Sequence, residues 1–228
     1  MTEMFLKSAA LGLAFIGIML GLSLLAVCNV CFSPYSQHLY SIIGIIFVVA
    51  LSLYGFICGQ FIQKYYTLAH RDQLTNLWNR RYFYAKLSKE VDHFKQTKVP
   101  LCIALIDIDD FKIINDIHGH FVGDVVLKEV ATILINSTRA VDTVVRLGGD
   151  EFAIILADTN IEAASAVAER IRETIANSND CCKTTISVGV LLIQPEIEIK
   201  VDQILKLVDE TLYKAKTTKN LVVATIHS

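Results

Sequence analysis

No aspartate, glutamate, lysine or arginine occurs between Lys7 and Lys64. An uncharged stretch of that length does not belong to the surface of an ordinary soluble domain. The chain is 53% hydrophobic, and the excess sits in this stretch, which makes the whole too apolar for a simple soluble domain. The short segment Ser33–His38 that interrupts it also lacks Lys and Arg. Basic excess is missing too: 21 Lys and Arg stand against 23 Asp and Glu, so a duplex footprint is excluded and no nucleic-acid partner is expected. There is no internal repeat and no low-complexity tract, which excludes solenoids and arrays. None of the six cysteines looks like a nucleophile. Cys28 and Cys31 have a Cys-x-x-Cys spacing, but they fall in an apolar run and read as ordinary buried cysteine. Cys58 lies in a second such run, and Cys102, Cys181 and Cys182 belong to a part expected to be reduced.

Two apolar runs fill the uncharged region, about residues 8–32 and 39–62. Each meets the roughly 20-residue requirement for a membrane-spanning helix. Ser33–His38 between them reads as a turn. Lys7 precedes the first run, and Lys64, Arg71, Arg80 and Arg81 follow the second. The positive-inside bias therefore puts both ends in the cytoplasm, with the turn outside and the lipid bilayer as a partner. The first run is long for a cleaved signal peptide, and the second would still anchor the chain. The expected organisation is a transmembrane helical hairpin over 1–62, a helical coupling linker over 63–71, and a domain over 72–228.

Past the linker the hydrophobic spacing changes. Tyr82, Phe83, Leu87, Val91 and Phe94 recur at helical intervals and predict a helix from Arg80 to about Thr97. Val99-Pro100 ends it and leads into Leu101–Ile106, a continuous apolar run typical of a buried strand. Phe111–Ile117 reads as a short helix. Asp124 begins a helix with Leu127, Val130, Ala131 and Leu134 inward, ending near Thr138. Val141–Val145 and Phe152–Leu156 read as strands. Ala163, Val167, Ala168, Ile171 and Ile175 mark another helix, and Thr184–Ile193 a strand. Asp202 caps a helix holding Ile204, Leu205, Val208, Leu212 and Tyr213. Leu221–Ile226 closes the order, which implies an α/β (α+β) sheet covered by helices.

The chain is organised around Arg146-Leu147-Gly148-Gly149-Asp150-Glu151-Phe152. Two glycines and two acids between strands predict a tight hairpin, and glycine lets a ligand approach the backbone. Paired carboxylates at a bare turn repel unless a cation lies near. The Leu101 strand ends in a second acidic group, Asp107-Ile108-Asp109-Asp110. Strand ends that present carboxylates on one sheet edge suit a divalent metal carrying nucleotide phosphate, so Asp107 and Asp150 are the candidate ligands. Glu151 is the candidate for a second metal contact or for help in deprotonating a hydroxyl.

These residues resemble the GGDEF family, the diguanylate cyclases. Gly148–Phe152 matches its signature. Asp107-Ile108-Asp109 with Phe111-Lys112, Asn115-Asp116, Gly119-His120 and Gly123-Asp124 matches its upstream block. Asp72, Leu74-Thr75, Leu77 and Asn79-Arg80-Arg81 match its first motif. The resemblance covers about the last two-thirds of the chain. It implies a ferredoxin-like nucleotidyl-cyclase palm, preceded here by the two-helix hairpin. It implies condensation of two GTP into cyclic di-GMP, dependent on Mg²⁺ (or Mn²⁺), by a homodimer at a bacterial inner membrane, with the domain cytoplasmic. The backbone carbonyl of Ile108 joins the metal ligands, and Asn115 and Asp124 read guanine. Phe111, Lys112, Gly148, Gly149 and Lys216 meet the phosphates. Arg139 and Asp142, ending five residues before Gly148, match the family's inhibitory product site, which would make cyclic di-GMP a feedback ligand. The sequence departs from the family after Lys216, where Thr217-Thr218-Lys219-Asn220 replaces the usual Gly-Arg-Asn. A phosphate-binding arginine is lost there or replaced by Lys219, a point charge in place of a fork. The competing readings are a catalytically weak or inactive module that senses GTP or cyclic di-GMP, and a membrane scaffold.

Overall fold

The structure is a computed structural model of the 228-residue chain. It describes residues 12, 15–23, 26, 34–178 (backbone alone for 34–41), 183–194 and 200–227. Cys28, Cys31, Cys181, Cys182 and Lys7 lie outside them. Two compact units form, Met1–Ala69 and His70–Ser228.

In the first unit, α1 spans Pro34–His70. The turn expected over Ser33–His38 is absent from Pro34 onward, where the backbone is already helical. Proline at the first helical position loses no helical hydrogen bond, so Pro34 starts the helix. Within α1, Ile42–His70 is long and apolar enough to cross a membrane. It is the one such helix among the described residues. Of the other expected span, residues 15–23 are helical. That segment packs on α1 through Gly17 and Gly21, one helical turn apart. A Cβ on Gly21 would lie 2.0 Å from Val48 Cγ2, and one on Gly17 3.3 Å from Leu51. Small residues at this spacing let helix backbones approach closely.

The second unit begins with β1 (Trp78–Asn79) and α2 (Arg80–Thr97). Asn79 caps α2, its Oδ1 accepting from the Tyr82 N–H. Then come β2 (Leu101–Ile108), α3 (Phe111–His118), α4 (His120–Asn136), β3 (Thr143–Gly148), β4 (Glu151–Ala157), α5 (Ile161–Asn177), β5 (Ile186–Ile193), α6 (Val201–Thr218) and β6 (Val222–His227). The sheet order is β1-β3-β4-β2-β5-β6. Its four inner strands are antiparallel, with parallel pairs at both edges. The inner order β3-β4-β2-β5, with helices crossing between, is the ferredoxin-like arrangement. The sheet is thus mixed, with an antiparallel centre.

Alternation along β2 builds two cores. Leu101, Ile103 and Leu105 pack with Phe83, Leu87 and Val91 of α2 and with Ile204, Val208 and Leu212 of α6. Cys102, Ala104, Ile106 and Ile108 face the other way, toward α4 and α5. Because both faces are covered, β2 is apolar throughout, until it reaches Asp107. Helix α4 starts four residues before Asp124, and α6 has its cap at Lys200 instead of Asp202. In α6, Gln203 Oε1 reaches back and accepts from the Lys200 N–H at 3.0 Å, which fixes the start of the helix two residues before Asp202.

Candidate active site

The register of β2 on β4 sets Asp107 opposite Glu151. Paired residues of neighbouring strands point to the same face. Both carboxylates therefore leave the sheet on the side covered by α2 and α6. The Ile108 N–H donates to the Asp150 carbonyl at 3.3 Å, so the tip of the β3–β4 hairpin stays beside the end of β2. Gly149 sits at φ +52, a backbone that side chains disfavour. A Cβ on Gly148 or Gly149 would meet nothing within 4 Å, so the space over the turn is open to a ligand.

Asp107 is 7% exposed. Its Oδ2 lies 2.7 Å from Lys216 Nζ. Burial raises its pKa most, Lys216 lowers it, and Asp150 and Glu151 raise it again, leaving it at about 6. Burial outweighs pairing because the carboxylate has lost most of its water. Lys216 is pulled down by its own burial, but the Asp107 hydrogen bond and the charges of Asp107, Glu151 and Asp150 outweigh this and move it upward. Asp150 is half-buried and Glu151 exposed.

On the other side of the turn, α3 and α4 hold Phe111, Lys112, Asn115 and Asp124. Phe111 packs on the core, while Lys112 and Asp124 are exposed. A Cβ on Gly123 would fall 2.0 Å from Asn115 Oδ1 and 3.2 Å from Phe111 Cζ. The Asn115 amide occupies the room that Gly123 leaves. Gly123 has no chemistry of its own, so only this contact discloses its role.

Three further residues had no role from sequence. Asp109 is buried and anchors the loop after β2. It accepts from Thr185 Oγ1 at 2.6 Å, Ser187 Oγ at 2.7 Å and the Asn220 N–H at 2.9 Å. The hydroxyl-rich start of β5, Thr184-Thr185-Ile186-Ser187, was its only sequence signal. Arg146 donates to the Gly149 carbonyl at 3.1 and 2.7 Å and to Asp72 Oδ1 at 3.0 Å. Asp72 Oδ1 also accepts from the Thr75 N–H and hydroxyl. The glycine turn is thereby tied to the start of the domain. Asp110 begins α3 with φ +56 and accepts both arms of a contact from Lys219 Nζ, at 2.7 Å to each oxygen.

Arg139 and Asp142 pair with each other, with 2.9 Å between Arg139 Nη2 and Asp142 Oδ1. Arg139 also donates to the Ala157 carbonyl at 3.0 Å and to Thr159 Oγ1 at 2.6 Å. The Asp142 carboxylate is 1% exposed while the arginine is 54% exposed, so only the arginine is presented to solvent. Arg170 donates to the Ser137 carbonyl at 2.6 Å and brings a second guanidinium to the same loop.

For a metal, the available donors are Asp107, Asp150 and Glu151 with the Ile108 carbonyl. Among the described residues no three acidic, histidine or cysteine side chains form a ready cage. A partial shell of hard oxygens fits Mg²⁺, which keeps several waters and takes phosphate oxygens besides one or two carboxylates.

Residues 69–221 match the family described as diguanylate cyclase, GGDEF domain, and the chain belongs to that family. It is 42% identical over 164 residues to the probable diguanylate cyclase DgcT of Escherichia coli, covering 68% of this chain and 36% of DgcT. The same identity and coverage hold for the response regulator PleD of Caulobacter vibrioides. The chain thus spans about a third of the length of these relatives. Among solved structures, the coiled coil and GGDEF domain of DgcB from Caulobacter crescentus, in complex with c-di-GMP, superposes with a TM-score of 0.68. That match has 27% identity and covers 73% of this chain and 91% of that one.

Proposed function

We propose that the chain is a diguanylate cyclase that condenses two GTP into cyclic di-GMP and releases two pyrophosphates. The observation that carries this reading is the pairing of Asp107 with Glu151 across β2 and β4, with Asp150 beside them on the β3–β4 turn. Asp107, Asp150, Glu151 and the Ile108 carbonyl would hold Mg²⁺ or Mn²⁺. When bound, such an ion neutralises phosphate charge and lowers the cost of forming an attacking alkoxide. Gly148 and Gly149 admit phosphate to the backbone, and Lys112 and Lys216 supply charge around it. Asn115 and Asp124 bind the guanine edge, the carboxylate accepting from its N–H groups. Glu151 faces the reacting hydroxyl and takes or steers its proton. Each 3′-hydroxyl attacks the α-phosphate of the other nucleotide, so two domains must face each other as a homodimer.

The reading includes regulation and place. Cyclic di-GMP binds at the Arg139–Asp142 pair through the exposed Arg139, which Asp142 holds in place, with Arg170 beside it, and keeps two domains out of the facing geometry. Residues 1–62 form a two-helix hairpin in a bacterial inner membrane and leave the GGDEF domain in the cytoplasm with GTP. The Gly17 and Gly21 contacts with α1 support the hairpin.

The decisive experiment is turnover of GTP with Mg²⁺ by the purified full chain. Asp150→Ala should keep the fold and lose orders of magnitude in rate, since a turn carboxylate contributes little packing and a metal ligand much catalysis. Undiminished synthesis by the purified variant would refute the assignment.

A further inference from the structure

At the C-terminal end of α6, Lys216 and Lys219 both face acids from the end of β2. Lys216 takes Asp107, and Lys219 takes both oxygens of Asp110. Asp110 opens α3, the helix that carries Lys112 and Asn115. Its carboxylate makes no capping bond to α3, and among the described residues its side-chain partner is Lys219. The pair is half open to water, with 52% and 49% side-chain exposure. Lys219 itself stands at φ +62, an uncommon backbone for a side-chain-bearing residue. That backbone directs the ammonium over the loop between β2 and α3, the loop along which the triphosphate would lie.

We propose that Asp110 is a built-in stand-in for phosphate: it occupies Lys219 in the empty site and competes with the triphosphate of the incoming nucleotide. Lys219 is a substrate-binding residue, and Asp110 is a positioning residue that acts through it. This rests on the nucleotide reading of the site. The carboxylate sets the affinity for GTP downward, and the exposure of the pair lets a triphosphate displace it without trapping the enzyme. Two oxygens at equal distance from one ammonium imitate the way a phosphate meets a lysine, as a point charge.

The prediction runs opposite to that for an ordinary binding residue. Asparagine tolerates the left-handed backbone of residue 110 and keeps the side-chain shape. Asp110→Asn should therefore bind nucleotide more tightly, by about two- to tenfold, the gain expected when an exposed ion pair no longer competes and no longer repels phosphate. Lys219→Ala should bind more weakly, and adding Asp110→Asn to it should recover less than half of the gain. The measurement is equilibrium binding of 3′-deoxyguanosine triphosphate, which lacks the attacking hydroxyl, to the full chain in detergent with Mg²⁺. In turnover, KM should fall in Asp110→Asn with kcat nearly unchanged. If wild type binds no guanine nucleotide at all, the nucleotide reading fails first and this one with it. If wild type binds and Asp110→Asn binds equally or more weakly, the stand-in is refuted while the reading survives. An equal gain with and without Lys219 also refutes it, because Asp110 would then act by repulsion alone.

Discussion

Asp107 carries the sharpest consequence of a single side chain. A carboxyl raised to about 6 takes up its proton at a higher pH in the folded chain than in the unfolded one. Its ionised form costs the fold stability above that pH, and the cost disappears as pH drops toward the ordinary carboxylate range. If Asp107 is a metal ligand, metal binding follows the opposite sign, because it needs the ionised form. Mg²⁺ or Mn²⁺ affinity should fall about tenfold for each pH unit below ~6 and level off above it. Calorimetric titration of the ion at about pH 5 and about pH 7 checks this. Lys216→Met should move the midpoint upward, since Lys216 holds the carboxyl down. Equal affinity at both pH values would remove Asp107 from the metal site. At this scale the sequence was legible in placement: Asp107 and Glu151, expected at strand ends, do stand opposite each other. It matched Gly123 and Asp109 to the motif without giving either a role, because the importance of Gly123 is an unfilled space and the partners of Asp109 lie 76 to 111 residues away.

The elements were legible where one periodicity held. Arg80–Thr97 was readable to the residue because Asn79 caps it and its apolar face is unbroken. The buried strands were readable because both of their faces are apolar. β1 was not, since a strand of two residues has no period, and its parallel pairing with β3 is a tertiary fact. The turn at Ser33–His38 failed because polar residues mimic a loop where proline starts a helix. Between elements, Arg146 has the largest leverage. Arg146→Ala removes the bonds that join the Gly148-Gly149 turn to Asp72, leaving the Gly149 carbonyl and Asp72 short of donors. It should lower stability by about 2 kcal/mol. Activity should fall further than stability accounts for, because the turn itself loosens. Denaturant midpoints and rates on the same preparation separate the two effects, and an unchanged midpoint would show the tie to be ornamental.

The whole molecule combines an apolar N-terminal unit with a folded GGDEF domain. If residues 1–62 span the bilayer twice, a reporter fused after Ser228 should be active in the cytoplasm, and a tag at Pro34 should react with impermeant reagents from outside. A reporter active only in the periplasm would overturn the orientation and the access to GTP together. If the Arg139 cluster is the feedback site, Arg139→Ala should relieve inhibition by added cyclic di-GMP while initial rates stay similar. Inhibition in the wild type should set in at micromolar-order concentrations, as expected for a few charged contacts. Identical inhibition curves would assign feedback elsewhere. One feature at the start of the domain also makes the protein its own instrument. Trp78 is the only tryptophan in the chain. Its ring lies 3.6 Å from the Arg71 guanidinium on one contact and 3.8 Å from the Tyr82 ring on another. Indole emission responds in colour and lifetime to a cation on its face, so any movement of Arg71 against the domain becomes an optical signal. A signal that reaches the GGDEF domain through residue 71 would be visible as fluorescence, in the unlabelled protein and in real time.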